Sequence, residues 1–185
     1  MRDGVEPAVT GVSGRARLRR VVYDEGRIAA RVQELGQAIT NSYSADDTLV
    51  VLGLLKGSFI FLADLVRAIR LPLQLDFLVV SSYGTGRASS GTINLLYEGE
   101  VEIAARHVIL VEDIVDSGNT LSHLVPWLEE KGPKSLEVCA LLHKRKARLE
   151  CEPRWIGFEA PDEFLVGYGL DHAEDLRHLP YIGSI

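Results

Sequence analysis

The sequence predicts an α/β fold in which a mainly parallel, twisted sheet is flanked by helices. Two stretches, 48–57 (TLVVLGLLKG) and 107–113 (HVILVED), are almost continuously apolar. Such runs are typical of strands that are buried on both faces. Stretches with the three- and four-residue spacing of amphipathic helices alternate with these strands along the chain. This alternation of strand and helix is typical of α/β proteins.

The elements of the first third of the chain follow from the same patterns. Residues 1–20 show no periodicity, and we expect them to be frayed at the start. One helix is predicted over 24–43 and another directly after the strand at 48–57, because apolar residues recur at helical spacing in both. The expected apolar faces are Ile28, Val32, Leu35 and Ile39 in the first helix, and Phe59, Leu62, Ala63 and Val66 in the second.

A long connection separates the next two predicted strands. The stretch 73–84 (LQLDFLVVSSYG) predicts a strand, and 92–99 (TINLLYEG) predicts its return strand. Residues 81–91 between them are mostly Gly, Ser and Thr, a composition that predicts a mobile loop. An ordinary long hairpin connection is the alternative interpretation.

The remaining elements follow the strand at 107–113. A helix is predicted over 120–131, where Pro126 should kink it because proline removes one backbone hydrogen bond. A further strand is predicted at 135–144, and a pair of short strands around a proline turn within 154–171. The apolar face of the predicted helix is Leu121, Leu124, Val125 and Leu128.

Composition limits the class of protein. The 185 residues are 46% hydrophobic and 25% charged, as expected for one globular domain. A net charge of -6 argues against general nucleic-acid binding, which requires clustered Lys and Arg. Cys139 and Cys151 form no CxxC motif, and we expect free thiols in a reducing compartment. No signal peptide and no apolar run of about 18 residues is present, so we predict a cytoplasmic protein without membrane contact.

The strand at 107–113 ends in an unusual concentration of acids. Glu112 and Asp113 close the strand, and Asp116 follows within the same turn. Ligands of parallel sheets bind beyond the carboxyl ends of the strands, where helix N-termini also point. The next residues have small or hydroxyl side chains just where a helix starts, which predicts a phosphate cup of backbone N–H groups. The residues of this cup are Ser117, Gly118, Asn119 and Thr120.

A phosphate cup beside acids suits a ligand with a phosphate at one end and hydroxyls or a metal at the other, and ribose 5-phosphate has this form. The stretch VILVEDIVDSGNTL resembles the phosphoribosyl diphosphate signature of the type I phosphoribosyltransferases. Four flanking motifs are similar in order and spacing to the hypoxanthine-guanine branch of that family. They are LLKGSFIFLADL, SSYGTG, LLHKRKAR and WIGFEAPDEFLVGYGLD, and with the signature they cover roughly 49–177.

The resemblance implies the type I phosphoribosyltransferase fold with a small hood from the chain ends. We expect a single domain over 1–185, with a core at roughly 45–145 and a hood from about 1–45 and 150–185. It also implies transfer of the phosphoribosyl group from phosphoribosyl diphosphate to a 6-oxopurine, hypoxanthine or guanine, with Mg²⁺ as cofactor. A homodimer or homotetramer is expected, because these are usual in the family.

Roles for the acids and the diphosphate site follow from the resemblance. Glu112 and Asp113 are expected to hold the ribose hydroxyls, since ionised carboxylates only accept hydrogen bonds. Asp116 is expected near purine N7 as the general base, or alternatively as a cap of the following helix. The expected diphosphate ligands are Lys56, Gly57, Ser82, Tyr83 and Arg177, and the expected metal ligands are Glu112, Asp113 and Asp171.

The purine site is expected in the C-terminal third. Phe164 should stack on the base, Leu165 should offer backbone groups to its edge, and Lys144 should donate to the 6-oxygen. Each has a plain alternative, because Phe164 could be a core residue and Lys144 could be solvated or hold diphosphate. Lys56 could likewise be a solvent-facing lysine at a strand end. The loop carrying Ser82 and Tyr83 would close over the diphosphate.

Two other functions remain open from the sequence. One is a regulator with this fold that binds RNA and has little catalytic activity, although the negative net charge disfavours it. The other is a related enzyme that prefers xanthine. The sequence does not rank hypoxanthine against guanine.

Overall fold

A large sheet with helices on both faces dominates the computed structural model, which describes residues 18–82, 93–144 and 152–185. The strands of this sheet are ordered β4-β3-β2-β5-β6-β7, and every pairing is parallel except that of β3 with β4. They are β2 (Leu49–Leu55), β3 (Leu73–Ser82), β4 (Ile93–Tyr97), β5 (His107–Val115), β6 (Ser135–His143) and β7 (Trp155–Glu159). The predicted mainly parallel sheet flanked by helices is therefore confirmed.

Within the described residues, three helices cover the two faces of this sheet. Helices α1 (Glu25–Thr40) and α2 (Phe59–Ala68) pack on one face, and α3 (Asn119–Glu129) packs on the other. The central strands are fully covered, since Val50 and Val108 face α3 while Val51 and Ile109 face α1 and α2. Burial on both faces explains why these strands lack polar alternation.

The predicted apolar face of α2 was wrong in part, because only two of its four residues, Leu62 and Val66, pack with the core. Leu62 is buried as expected, but Phe59 is 44% exposed and Ala63 is also exposed. The helix is apolar nearly all round, so its sequence pattern leaves the orientation undecided. The residues that face the sheet are Phe61, Leu62, Leu65 and Ala68.

The predicted apolar faces of α1 and α3 are confirmed, because every residue that was assigned to these faces is buried. Asp24 caps α1 by accepting a hydrogen bond from the Arg27 N–H at 2.9 Å. Pro126 lies inside α3 and is exposed, and the helix continues past it to Glu129. The kink expected at this proline stays a prediction.

A second, smaller sheet joins the two chain ends. It contains β1 (Arg20–Tyr23), β8 (Leu165–Val166) and β9 (Ile182–Ser184), all antiparallel. This sheet is the expected hood. The end stretches 1–45 and 150–185 also contain α1 and β7, which pack with the large sheet. The single domain and its expected boundaries stay predictions.

Candidate active site

The carboxyl ends of β2, β5 and β6 meet at one edge of the sheet, and many of the predicted site residues lie in or directly after the last turns of these strands. Glu112 is the most deeply placed of them, with only 6% of its surface exposed. Its Oε2 atom is buried and has no hydrogen-bond partner among the described residues. Burial, and then the neighbouring charge of Asp113, raises the pKa of Glu112 well above its usual value. A buried carboxylate oxygen without a partner is a site ready to accept a donor.

Asp113 is partly buried beside Glu112. Burial raises the pKa of its carboxyl group. The backbone N–H groups of Ile114 and Asp113 itself, together with the charge of Arg177, lower the pKa and offset part of this effect. Two adjacent carboxyl groups with raised pKa values are typical of a functional site.

The turn after β5 leaves the start of α3 open. Gly118 occupies the N-cap position with φ +80° and ψ -1°, a left-handed conformation that glycine adopts without strain. No side chain caps the helix, and the Asn119 N–H donates to Ser117 Oγ at 3.3 Å. The alternative role of Asp116 as the helix cap is therefore wrong. Backbone N–H groups at an uncapped helix start can bind an anion, as expected for Ser117 to Thr120.

Asp116 instead pairs with Lys144. Lys144 follows β6, and its backbone N–H donates to the Val115 carbonyl at 2.9 Å. Its Nζ atom donates to Asp116 Oδ2 at 2.8 Å, while 17% of the Lys144 side chain and 63% of the Asp116 side chain are exposed. Both residues are expected at the purine from the resemblance, but their contact with each other was not predicted. The alternative of a merely solvated Lys144 is wrong.

Gly57 is packed directly against Asp113. The Leu55–Lys56 peptide before it is cis. A Cβ atom added to Gly57 would lie 1.7 Å from Asp113 Oδ2. On the other side, a Cβ atom added to Gly169 would lie 2.1 Å from the Gly57 carbonyl oxygen. Gly57 thus contacts the Asp113 carboxylate, Gly169 contacts the Gly57 backbone, and only glycine fits at these two points without a shift.

A charged cluster lies next to this contact. The Arg177 guanidinium contacts Asp171 Oδ1 at 2.7 Å and donates to the Gly169 carbonyl at 2.8 Å. Glu174 joins the two cations, with Oε2 at 2.9 Å from Lys56 Nζ and Oε1 at 3.5 Å from Arg177. The hydrogen bond from Lys56 lowers the pKa of Glu174. Lys56 is therefore an ion-paired residue, not simply a solvent-facing lysine.

Two residues of this region were missed by the sequence analysis. Glu174 lies three positions before Arg177, but the segment is not helical, so this spacing alone did not predict the pair. Tyr168 donates a hydrogen bond to Asp64 Oδ2 at 2.6 Å, which ties the segment to α2. Burial raises the pKa of Tyr168, and the bond to Asp64 adds to this effect. No sequence signal pointed to this pair, because 104 residues separate its members.

The predicted purine residues of the C-terminal third lie at the small sheet. Phe164 is 55% exposed and meets the His172 ring edge-on, with ring centres 5.7 Å apart. The alternative of a core residue is therefore wrong for Phe164. Leu165 is buried in β8 and pairs with Ser184 of β9.

Part of the predicted loop lies outside the described residues. Ser82 is the last residue of β3, and Tyr83 with the rest of the expected loop up to Gly91 belongs to the segment 83–92. Nothing in the structure bears on the loop's expected closure over a diphosphate.

The acids at this edge suit Mg²⁺, which prefers oxygen ligands and usually keeps several waters. Within 18–82, 93–144 and 152–185, no group of three or more His, Cys, Asp or Glu residues could hold a metal alone. Glu112 offers its partnerless Oε2 atom. Both carboxylate oxygens of Asp171 are already engaged, by Arg177 and by the Glu174 N–H. These donors fit a metal that takes its other ligands from water and substrate.

Three features lie at one edge of the sheet: the acids near the end of β5, the uncapped start of α3, and the charged cluster described above. Together they define a site for a phosphorylated sugar. The model of the phosphoribosyl transferase domain matches residues 21–173. The chain therefore belongs to the phosphoribosyltransferase family, and the resemblance noted in the sequence is confirmed.

Within that family, the chain is similar to enzymes of the hypoxanthine-guanine branch. It is 44% identical to a hypoxanthine-guanine phosphoribosyltransferase of Dictyostelium discoideum, over 90% of this chain and 95% of the relative. It is also 44% identical to a hypoxanthine phosphoribosyltransferase of Salmonella typhimurium, over 89% and 94%. A solved Bacillus anthracis hypoxanthine-guanine phosphoribosyltransferase superposes with a TM-score of 0.86 at 39% identity, covering 91% of this chain and 99% of that chain.

Proposed function

We infer that the protein transfers the 5-phosphoribosyl group from phosphoribosyl diphosphate to hypoxanthine, guanine or both. The products are IMP or GMP and diphosphate, so the reaction salvages purine bases. The observation that carries this inference is the pairing of Asp116 with Lys144 next to the acidic pair Glu112 and Asp113. A proton acceptor and a donor for the base thereby lie beside acceptors for the sugar. Family membership and the names of the relatives support the same function.

The sugar phosphate is held by β5 and α3. Glu112 and Asp113 accept hydrogen bonds from the ribose hydroxyls, and the partnerless Oε2 of Glu112 supports this role. The 5-phosphate binds at the open start of α3, where the helix dipole favours an anion. The cup consists of Ser117, Gly118, Asn119 and Thr120.

The base is held by residues from three elements. Asp116 accepts the proton that the purine loses when its nitrogen attacks the sugar. Lys144 has three N–H donors, so it can hold Asp116 and still donate to the 6-oxygen. Phe164 stacks on the base, which its exposed ring permits, and the backbone of Leu165 meets the base edge.

Lys56, Gly57 and Arg177 bind the leaving diphosphate, together with Ser82 and Tyr83. Glu112, Asp113 and Asp171 would hold Mg²⁺ together with waters, and the metal would supply positive charge beside the diphosphate. Positively charged groups in fixed positions stabilise the charge that develops on the leaving group.

A nucleotide-forming assay tests this function. The purified protein is incubated with phosphoribosyl diphosphate, Mg²⁺ and, separately, hypoxanthine, guanine, xanthine, adenine and uracil. We expect nucleotide with hypoxanthine or guanine, and little with adenine or uracil. A product with xanthine alone would assign a different substrate, and no product with any base would exclude the enzymatic function. Repeating the assay with a chelator tests the requirement for Mg²⁺.

Replacing Lys144 by glutamine should relax the discrimination against adenine. The amide can accept a hydrogen bond from an amino group, whereas the lysine only donates. Loss of a charge-assisted hydrogen bond costs about 1.5–3 kcal/mol, so kcat/KM for hypoxanthine should fall by roughly 10- to 100-fold. The measurement is kcat/KM for hypoxanthine and for adenine at saturating donor.

The control is Lys134→Gln, because Lys134 precedes the opposite end of β6. An unchanged hypoxanthine-to-adenine ratio together with a raised KM for phosphoribosyl diphosphate would move Lys144 from the purine to the diphosphate.

We also propose that the chain forms a homodimer or homotetramer. Exposed apolar side chains support this proposal, since Phe59 on α2 is 44% exposed and Leu75 on β3 is 40% exposed. Light scattering of the purified chain should give two or four times the 20.4 kDa of one chain. The mass of a single chain at micromolar concentration would contradict it.

The described residues contain no helix long and apolar enough to cross a membrane. The cytoplasmic location stays a prediction.

A further inference from the structure

Glu174 occupies the place where a diphosphate would find its positive charge. Its two carboxylate oxygens contact two different cations, Lys56 at 2.9 Å and Arg177 at 3.5 Å. A phosphate group also presents anionic oxygens that can bridge neighbouring cations. We propose that Glu174 is a positioning residue that holds Lys56 and Arg177 in the free enzyme and competes with diphosphate for them. This inference rests on the proposed function, because it takes these two cations as the diphosphate ligands.

The backbone of Glu174 is held by hydrogen bonds, whereas its side chain is exposed. The Glu174 N–H donates to Asp171 Oδ2 at 2.9 Å, and the flanking His172 and Asp175 bond to each other through both backbone groups. The side chain itself is 67% exposed and contacts only Lys56 and Arg177 among the described residues. A rotation of the side chain into solvent would therefore release both cations without rearranging the turn.

Arg177 keeps other partners when Glu174 leaves. Its guanidinium still contacts Asp171 at 2.7 Å and the Gly169 carbonyl at 2.8 Å, and only 19% of the side chain is exposed. Lys56 has no second anionic partner within the described residues, and 67% of its side chain is exposed. Glu174 therefore matters most for Lys56, whose long side chain it keeps at the site before the donor arrives.

Competition between the Glu174 carboxylate and diphosphate should weaken the binding of diphosphate-containing ligands. A carboxylate and a diphosphate repel each other and cannot share the same cations, so the donor must displace Glu174. Exposed ion pairs are weak, and their loss implies a change of roughly 2- to 5-fold in an equilibrium constant. Glu174 should weaken donor binding by about this factor and should help the product diphosphate to leave, because the carboxylate takes its place.

The test is Glu174→Gln, which has nearly the same shape but no charge. We expect the KM for phosphoribosyl diphosphate and the inhibition constant of inorganic diphosphate both to fall by roughly 2- to 5-fold. If release of diphosphate limits turnover, kcat should fall as well, while the KM for the base and the melting temperature should not change. A merely structural role would alter the melting temperature and would not tighten binding.

A matched control removes a different exposed carboxylate with the same change in net charge. Glu34→Gln is suitable, because Glu34 is 62% exposed on α1 and pairs with Arg31. We expect no change in either constant for this control. Unchanged or weakened binding of donor and diphosphate by Glu174→Gln would overturn the inference, and so would equal tightening in Glu34→Gln. Failure of the proposed function is a separate result, since the wild-type protein would then form no nucleotide.

Discussion

Replacing Asp116 by asparagine should lower kcat by about 10²-fold or more, because positioned general bases contribute about 10²- to 10⁴-fold to rates. Asparagine keeps the shape of the side chain but does not accept the proton from the purine. Asp116 is 63% exposed and does not cap α3, so the folded structure should persist. The measurement is kcat at saturating substrates, with binding of phosphoribosyl diphosphate followed by calorimetry. Donor binding should remain, since Asp116 is assigned to the base.

A comparison with Lys144 separates two effects of this change. Asp116→Asn also replaces the ion pair with Lys144 by a neutral contact. If positioning of Lys144 were the whole effect, the double variant with Lys144→Gln would be no worse than Lys144→Gln alone. We expect a further loss of kcat in the double variant. Asp46→Asn, an exposed change before β2, serves as the control. An unchanged kcat in Asp116→Asn would remove the residue from the chemistry.

The parallel sheet could be predicted from sequence because its central strands are covered on both sides. Val50, Val51, Val108 and Ile109 are all fully buried, and the stretches 49–55 and 108–111 that contain them are entirely apolar. The acids could be located for the same reason, since charge close to the end of a buried strand lies near the sheet edge, although β5 continues past Glu112 and Asp113 to Val115. The residue pattern thus located Glu112, Asp113 and the start of α3. The phosphate-binding role of the helix start also followed from this pattern, whereas the roles of the two acids came from the family resemblance.

The orientation of α2 could not be predicted in this way. The helix is apolar on most of its circumference, and its sequence pattern does not tell which face meets the sheet. Phe59 is consequently exposed, although it was expected in the core. Tertiary packing decides the orientation of α2, because Phe61 and Leu65 pack in the core with residues of α1 and of the sheet.

Contacts between distant segments were also beyond prediction. The pairing of Lys144 with Asp116 spans 28 residues, and that of Lys56 with Glu174 spans 118. Sequence patterns report local periodicity, whereas these pairs depend on which loops the strand order brings together. Strand order fixes the first pair, since β5 and β6 are neighbours. The second depends on the path of the C-terminal segment, which no local pattern encodes.

Replacing Gly57 by alanine should lower kcat/KM for phosphoribosyl diphosphate by at least about 10²-fold. The added Cβ atom would lie 1.7 Å from Asp113 Oδ2, so the turn or the carboxylate must move. Misplacement of a site group by about 1 Å can cost about 10²-fold in rate. Movement of the turn would also displace Gly169, whose own added Cβ would lie 2.1 Å from the Gly57 carbonyl oxygen. The substitution should therefore disturb both Asp113 and the charged cluster that adjoins Gly169.

Gly26→Ala provides the control for this substitution. Gly26 lies in the first turn of α1, and its added Cβ would approach only Asp24 Oδ1, at 3.3 Å. We expect kcat/KM for the donor to stay within about 2-fold of the wild-type value in this control, because surface changes rarely alter function or stability much. Melting temperatures of both variants separate loss of the site from loss of the fold. A folded Gly57→Ala variant with wild-type kcat/KM for the donor would show that Asp113 can move without cost. The close packing of Gly57 against Asp113 would then have no part in catalysis.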